Sequence, residues 1–185
     1  MPELDQEKPN KEDKNALKWF KDNYLPLIVI VAIVILALIL IAPLFKTMVG
    51  EKAPDFSVTG TEGEEFTLSQ NQDKVIILDL MSTTCPACIS EMKHLKEINN
   101  RYSTDEVIII TISVQKGDSN SDLMDFKSRY GDNWTFARDT DDVANKYNVN
   151  YTPTTVIIDK KGIIRYYKSG ELSVQKLVQE IEKLI

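Results

Sequence analysis

Val75-Ile76-Ile77-Leu78-Asp79-Leu80-Met81-Ser82-Thr83-Thr84-Cys85-Pro86-Ala87-Cys88 is the stretch on which the fold turns. Its first seven residues are apolar except Asp79, the composition of a strand covered on both faces. Ile89, Met92, Leu95 and Ile98 then recur at near-helical spacing, with Lys93, Lys96 and Glu97 on the outer face and Asn99-Asn100 at the helix end. Val107 to Ile112 is a second buried strand. A strand, a helix and a strand in this order predict a parallel pair joined by a right-handed crossover.

Downstream, a polar loop from Lys116 to Ser121 leads into a predicted helix over 122–130, and a shorter helix fits 141–147. Residues 154–159 and 163–168 read as strands joined through Lys160-Lys161-Gly162, a hairpin with its glycine at the turn. Ser173 caps a last amphipathic helix carrying Leu177, Val178, Ile181 and Leu184 on one face. Upstream, residues 51–57 are extended, because Pro54 biases Ala53 away from helix. Gly60 and Gly63 mark a turn before the short strand Phe66-Thr67-Leu68. Trp134 and Phe136 belong to the core, and His94 reads as a solvated residue on the outward side of its helix. Asp139, Asp141 and Asp142 read as a helix start, since the oxygen-ligand pattern of a calcium loop is missing.

The run from Leu25 to Phe45 is apolar and uncharged over 21 residues of the 185. As a helix it would reach roughly 31 Å, enough for a bilayer's hydrocarbon core. The expected organisation is a cytoplasmic tail over 1–24, a transmembrane helix over 25–45, a linker over 46–50 and one domain over 51–185. Trp19, Phe20 and Tyr24 precede the span as an interfacial belt. Lys8, Lys11, Lys14, Lys18 and Lys21 lie before it, against Lys46 and Lys52 after it. That bias puts the N-terminus in the cytoplasm and the domain outside, on a single-pass cell-membrane protein. A cleaved signal peptide fits less well, because the apolar core is long and no A-x-A-like site follows.

The net charge of −6 falls entirely on residues 51–185, since residues 1–50 carry six acidic and six basic side chains. A moderately acidic domain without a basic stripe speaks against nucleic-acid partners. Two cysteines three apart exclude a disulfide-stapled scaffold, as so short a loop braces little. Half a zinc site would need a second ligand pair, and His94 is the only other soft ligand, so neither metal nor cofactor is expected.

A C-x-x-C at a strand-to-helix junction has a chemical rationale. The helix N-terminus offers unpaired N–H groups and the positive end of its dipole, which favour a thiolate. Cys85 at the cap is the expected nucleophile, and Cys88 one turn in is the resolving thiol. The pair can then cycle between dithiol and disulfide.

The run 79–88, followed by Val149-Asn150-Tyr151-Thr152-Pro153-Thr154-Thr155-Val156-Ile157-Ile158-Asp159, resembles a thioredoxin-fold protein. More closely it is similar to the membrane-anchored TlpA/ResA type, because residues 51–56 and Phe66-Thr67-Leu68 match that family's N-terminal extension, shared with the peroxiredoxins. The resemblance covers essentially residues 51–185. It implies an α/β thioredoxin-like fold, a mixed central sheet flanked by helices, behind a single transmembrane helix. It implies a redox-active Cys85–Cys88 disulfide and a cis Thr152–Pro153 bond against the sulfurs, with Thr152 and Pro153 meeting an extended substrate peptide. Asp79, six residues before Cys85, takes the place of a buried carboxylate that relays a proton for the second cysteine; the alternative is an aspartate at an exposed strand edge. Two residues depart from the pattern. Thr84 replaces the tryptophan common before the first cysteine, and Pro86 deletes one N–H donor of the helix end.

The expected activity is thiol–disulfide exchange, with reduction of protein disulfides as the direction. The implied partners are exported disulfide-containing proteins, apocytochrome c among them, and an integral-membrane thiol electron donor. A peroxiredoxin-type peroxidase would need P-x-x-x-T-x-x-C, where this chain has Leu78 and Ser82. A copper carrier on the same fold would need C-x-x-x-C and a distant histidine, and none follows His94.

Overall fold

The computed structural model describes Trp19, Tyr24, residues 26–37 and residues 48–185. Two units are distinguished, 1–47 and 48–185. In the first, residues 26–37 are helical. Among the described residues no helix is long and apolar enough to cross a membrane. Residue 25 and residues 38–45 of the expected span lie outside them, as does most of the expected tail.

In the second unit the deciding stretch folds as its pattern dictates. β3 (Val75–Met81) is buried at every position, and α1 (Pro86–Arg101) follows it. β4 (Val107–Ser113) then returns parallel to β3, with Asp79 opposite Thr111. α2 (Asn120–Tyr130) leads to β5 (Thr135–Arg138), parallel to β4. α3 (Val143–Lys146) precedes the hairpin of β6 (Thr154–Ile158) and β7 (Ile164–Ser169), and α4 (Val174–Ile181) follows it. The sheet order is β5-β4-β3-β6-β7, with β6 antiparallel to β3 and β7 antiparallel to β6. A separate antiparallel hairpin of β1 (Ser57–Thr59) and β2 (Glu65–Thr67) stands upstream. This is the expected mixed sheet with flanking helices.

Alternation along β3 divides the core. Val75, Ile77 and Met81 pack with Cys88, Met92, Leu95 and Ile98 of α1 and with Leu177 and Ile181 of α4. Ile76, Leu78 and Leu80 pack on the other face with Phe56, Phe66, Val143 and Tyr147. Asp79, in step with Ile77 and Met81, is therefore directed to the α1 side. That single consequence of strand parity places a carboxyl in the helix-covered half of the core.

Local chemistry accounts for the differences from the sequence reading. β5 forms where only core aromatics were expected, through its parallel pairing with β4, with Trp134 and Phe136 stacked at 5.4 Å beside it. α2 starts two residues early, since Ser119 and Asp122 form a reciprocal capping box. α3 is shorter than expected, with Asp142 left-handed at φ 55°. Asp139 accepts the Val143 and Ala144 N–H groups, so the acidic cluster does start a helix. Leu68 opens a single 3-10 turn instead of ending a strand.

Leu95, wholly buried on α1, holds that helix to the sheet. Leu95→Ala is expected to cost about 2–5 kcal/mol, read as a lower denaturation midpoint at unchanged slope. A loss under ~1 kcal/mol would mean that α1 is not packed as described.

Candidate active site

Cys85 is the N-cap of α1 in extended conformation, and Pro86 occupies the first helical position. Pro86 therefore removes a donor that has no partner within the helix in any case. The Cys88 N–H, one turn in, donates to Cys85 Sγ at 3.1 Å. The two sulfurs are joined as a disulfide. Cys85 is half-buried and faces the surface, whereas Cys88 is wholly buried. The pair is thus asymmetric in access and in hydrogen bonding, with the donor aimed at the outer sulfur.

The loop before the cysteines is held by a residue that sequence reasoning did not single out. Asp118 accepts the Thr83 N–H at 2.9 Å and the Thr83 hydroxyl at 2.7 Å, and also the Ser113 hydroxyl. It lay in a polar loop with nothing in its neighbours to distinguish it. Thr84, in place of an aromatic, is exposed and pairs with the Ser82 hydroxyl at 3.1 Å.

Thr152–Pro153 is a cis peptide. The Thr152 carbonyl oxygen lies 3.5 Å from Cys85 Sγ, and Pro153 is buried beside it. The Thr154 hydroxyl donates to the Tyr151 carbonyl at 2.6 Å and fixes the loop from behind. The structure therefore brings Cys85, Cys88, Thr152 and Pro153 together.

Asp79 is fully buried, which excludes the exposed strand edge. Its Oδ2 accepts the Thr111 hydroxyl at 2.9 Å, and Thr111 Oγ1 in turn accepts the Trp134 indole N–H at 3.0 Å. Burial pushes its carboxyl up to about 7, against the pull of the Thr111 bond. A second buried carboxyl, Glu91, was missed. It lies three residues past Cys88 on the covered face of α1, and burial, then the nearby Asp79, raise it to about 8. Glu91 Oε1 accepts the Thr155 hydroxyl at 3.0 Å and the Leu172 N–H at 3.2 Å. The signal was present as an acid at a core position of the helical period, between Cys88 and Leu95. Each carboxyl keeps one oxygen, Asp79 Oδ1 and Glu91 Oε2, buried without a hydrogen-bond partner. Two such groups resist joint ionisation, so near neutral pH they can take up and return a proton.

His94 corrects an expectation. It is not solvated on the outer face but half-buried, with Nδ1 3.6 Å from Glu171 Oε1. Among the described residues no group of three or more His, Cys, Asp or Glu side chains is placed to hold a metal ion.

Residues 49–167 match the AhpC/TSA family. The chain belongs to the AhpC/TSA family. It is 31% identical over 137 residues to the thiol-disulfide oxidoreductase ResA of Geobacillus kaustophilus, covering 74% of this chain and 78% of that one. It is 26% identical over 134 residues to the thioredoxin-like protein YneN of Bacillus subtilis, covering 72% and 78%. The crystal structure of a thioredoxin-like protein from Aeropyrum pernix superposes with a TM-score of 0.60 at 25% identity, over 70% of this chain and 89% of that one. With the fold, the cysteine pair and these relatives, this AhpC/TSA member is a thiol–disulfide oxidoreductase.

The raised carboxyls make stability depend on pH. Below about 4 both are protonated in folded and unfolded chains alike. As pH rises towards 7 and 8 the unfolded chain ionises freely while the folded one retains its protons, so stability falls over that window and levels off above it. Asp79→Asn is therefore expected to match the parent near pH 4 and to exceed it at pH 8 by roughly 1–3 kcal/mol. Denaturant titrations at the two pH values check this, and equal differences at both would show that Asp79 is not raised.

Proposed function

We propose that this protein is a membrane-anchored, extracytoplasmic reductase of protein disulfides. The observation that carries the reading is the asymmetry of the pair: an accessible Cys85 at a helix N-terminus beside the Thr152 carbonyl, and a buried Cys88 on a helix face shared with an acid.

In the forward step the Cys85 thiolate attacks a substrate disulfide. A Cys85–substrate bond forms, and the other substrate sulfur leaves as thiolate and takes a proton. Cys88 then gives up its proton and attacks Cys85 Sγ, closing Cys85–Cys88 and releasing the second substrate thiol. Two electrons pass from the dithiol to the substrate. Asp79 and Glu91 are the groups available to accept the proton of Cys88, because burial holds both near the operating pH. An extended substrate segment lies along the Thr152–Pro153 loop, where backbone groups are presented at the sulfur.

The anchoring part of the reading rests on the apolar run from Leu25, helical over 26–37, and on the lysine bias before it. Direction follows from location. Outside the cytoplasm free thiols are oxidised unless replenished, and a tether keeps the domain near an integral-membrane thiol donor. The ResA relatives carry the name of thiol-disulfide oxidoreductases, and the substrate class put forward is exported proteins with disulfides, apocytochrome c included. A peroxidase is disfavoured by Leu78 and Ser82, and by a cysteine pair already closed within one helical turn.

Cys88→Ser is expected to accumulate mixed disulfides through Cys85, and Cys85→Ser to form none; the reverse pattern would exchange their roles. In acid-quenched cells treated with a mass-tagging alkylator, the wild-type pair is expected to be mainly dithiol. A mainly oxidised pair would overturn the reductase direction. Proteolysis of intact spheroplasts is expected to remove the domain, whereas protection would overturn its placement outside.

A further inference from the structure

Gly170-Glu171-Leu172, between β7 and α4, touches three parts of the site at once. The Gly170 N–H donates to the Pro153 carbonyl at 2.8 Å. The Leu172 N–H donates to Glu91 Oε1 at 3.2 Å. Between them, Glu171 Oε1 accepts the Ser90 hydroxyl at 2.7 Å and stands 3.6 Å from His94 Nδ1. Gly170 at φ 94° supplies the left-handed step from which these groups diverge. One short segment therefore links the proline loop, the buried acid and the cysteine helix.

We propose that Glu171 is a positioning residue: its carboxylate clasps α1 through Ser90 and His94 and so holds the Leu172 amide on Glu91. Ser90 and His94 are one helical turn apart, so both reach the same oxygen from one face. The Ser90 arm is a hydrogen bond, and the His94 arm is a contact between Nδ1 and the same carboxylate oxygen. His94 Nδ1 is buried and has no hydrogen-bond partner of its own, so Glu171 is the group it faces. The clasp concerns the exchange reaction itself and holds whichever way the electrons run and wherever the protein resides.

Two opposed effects of Glu171 on Glu91 make the idea testable. The groups facing Glu91 are Asp79 from β3, Thr155 from β6, Cys88 on its own helix, and Glu171 with the Leu172 amide. The Glu171 charge raises the Glu91 carboxyl, whereas the Leu172 amide lowers it and is the larger of the two. Glu171→Gln removes the charge and keeps an oxygen for Ser90, so Glu91 ionises more readily. Glu171→Ala releases the clasp, frees the Leu172 amide and makes Glu91 harder to ionise.

The experiment uses the reduced full chain in detergent and a chromogenic aromatic disulfide. The first chromophore released reports attack by Cys85, and the second reports resolution by Cys88. The pH midpoint of the second phase is expected to move acidward in Glu171→Gln and alkaline in Glu171→Ala, each by roughly half a pH unit. Ser90→Ala, which keeps the Glu171 charge, is expected to follow Glu171→Ala to a smaller extent. A loss of packing alone would lower thermal stability without splitting the two Glu171 variants. Shifts of one sign in both, or no shift in either, would overturn the clasp. Should Glu171→Ala fail to fold, an acidward or absent shift in Ser90→Ala would do so.

Discussion

The helix that begins at Cys85 is the constraint from which the site follows. Its first turn leaves N–H groups without partners, and one of them, at Cys88, is aimed at Cys85 Sγ. Interaction with a helix terminus is worth about 0.3–1 kcal/mol at the surface and up to ~2 in partly buried settings. This favours ionisation of Cys85 over Cys88, which is buried and has no such donor. Other segments of the fold hold this helix start in place. Asp118 fixes the loop in front through Thr83, and the β7–α4 segment grips α1 at Ser90.

The inner sulfur poses the opposite problem. A buried thiol that must ionise needs a base close by, and the interior offers none without cost. Burying a polar group without a partner costs on the order of a few kcal/mol, yet this chain buries two carboxyls and leaves one oxygen of each unpaired. Hydroxyl donors from neighbouring strands limit the penalty: Thr111 on Asp79 and Thr155 on Glu91. Since Thr155 is also the β6 partner of Asp79, one row across β4, β3 and β6 carries the whole arrangement. The surrounding apolar core offsets what remains, and under the proposed mechanism the two acids exchange a proton near neutral pH.

Much of this was legible beforehand. The unbroken apolar run in β3, the helical period after Cys88 and the second apolar run in β4 specify the parallel pair, and the cysteine spacing specifies the junction between them. Asp79 was visible as the one charge in an apolar strand, and its burial decided between a core carboxyl and an exposed strand edge. Glu91 was harder, because an acid between Ser90 and Met92, with Lys93 close by, looks like part of the solvated face until the helical period is followed residue by residue. Asp118, Glu171 and Leu172 left no local signal at all. Their roles arise from contacts between segments 35 to 81 residues apart in the chain, which only the folded topology brings together. β5 was missed for a related reason: four residues are too few to show a period, and its strand character comes from pairing with β4.

The central claim is that the two cysteines are unlike, an acidified outer thiol and a withheld inner one. Its most direct measure is the rate of alkylation of each thiol in the fully reduced protein as a function of pH, with Cys85 and Cys88 resolved by peptide mass spectrometry. The account predicts that Cys85 reacts with a midpoint clearly below the ~8.5 of a free thiol, while Cys88 remains slow until the pH is well above it. Equal rates with both midpoints near ~8.5 would contradict it.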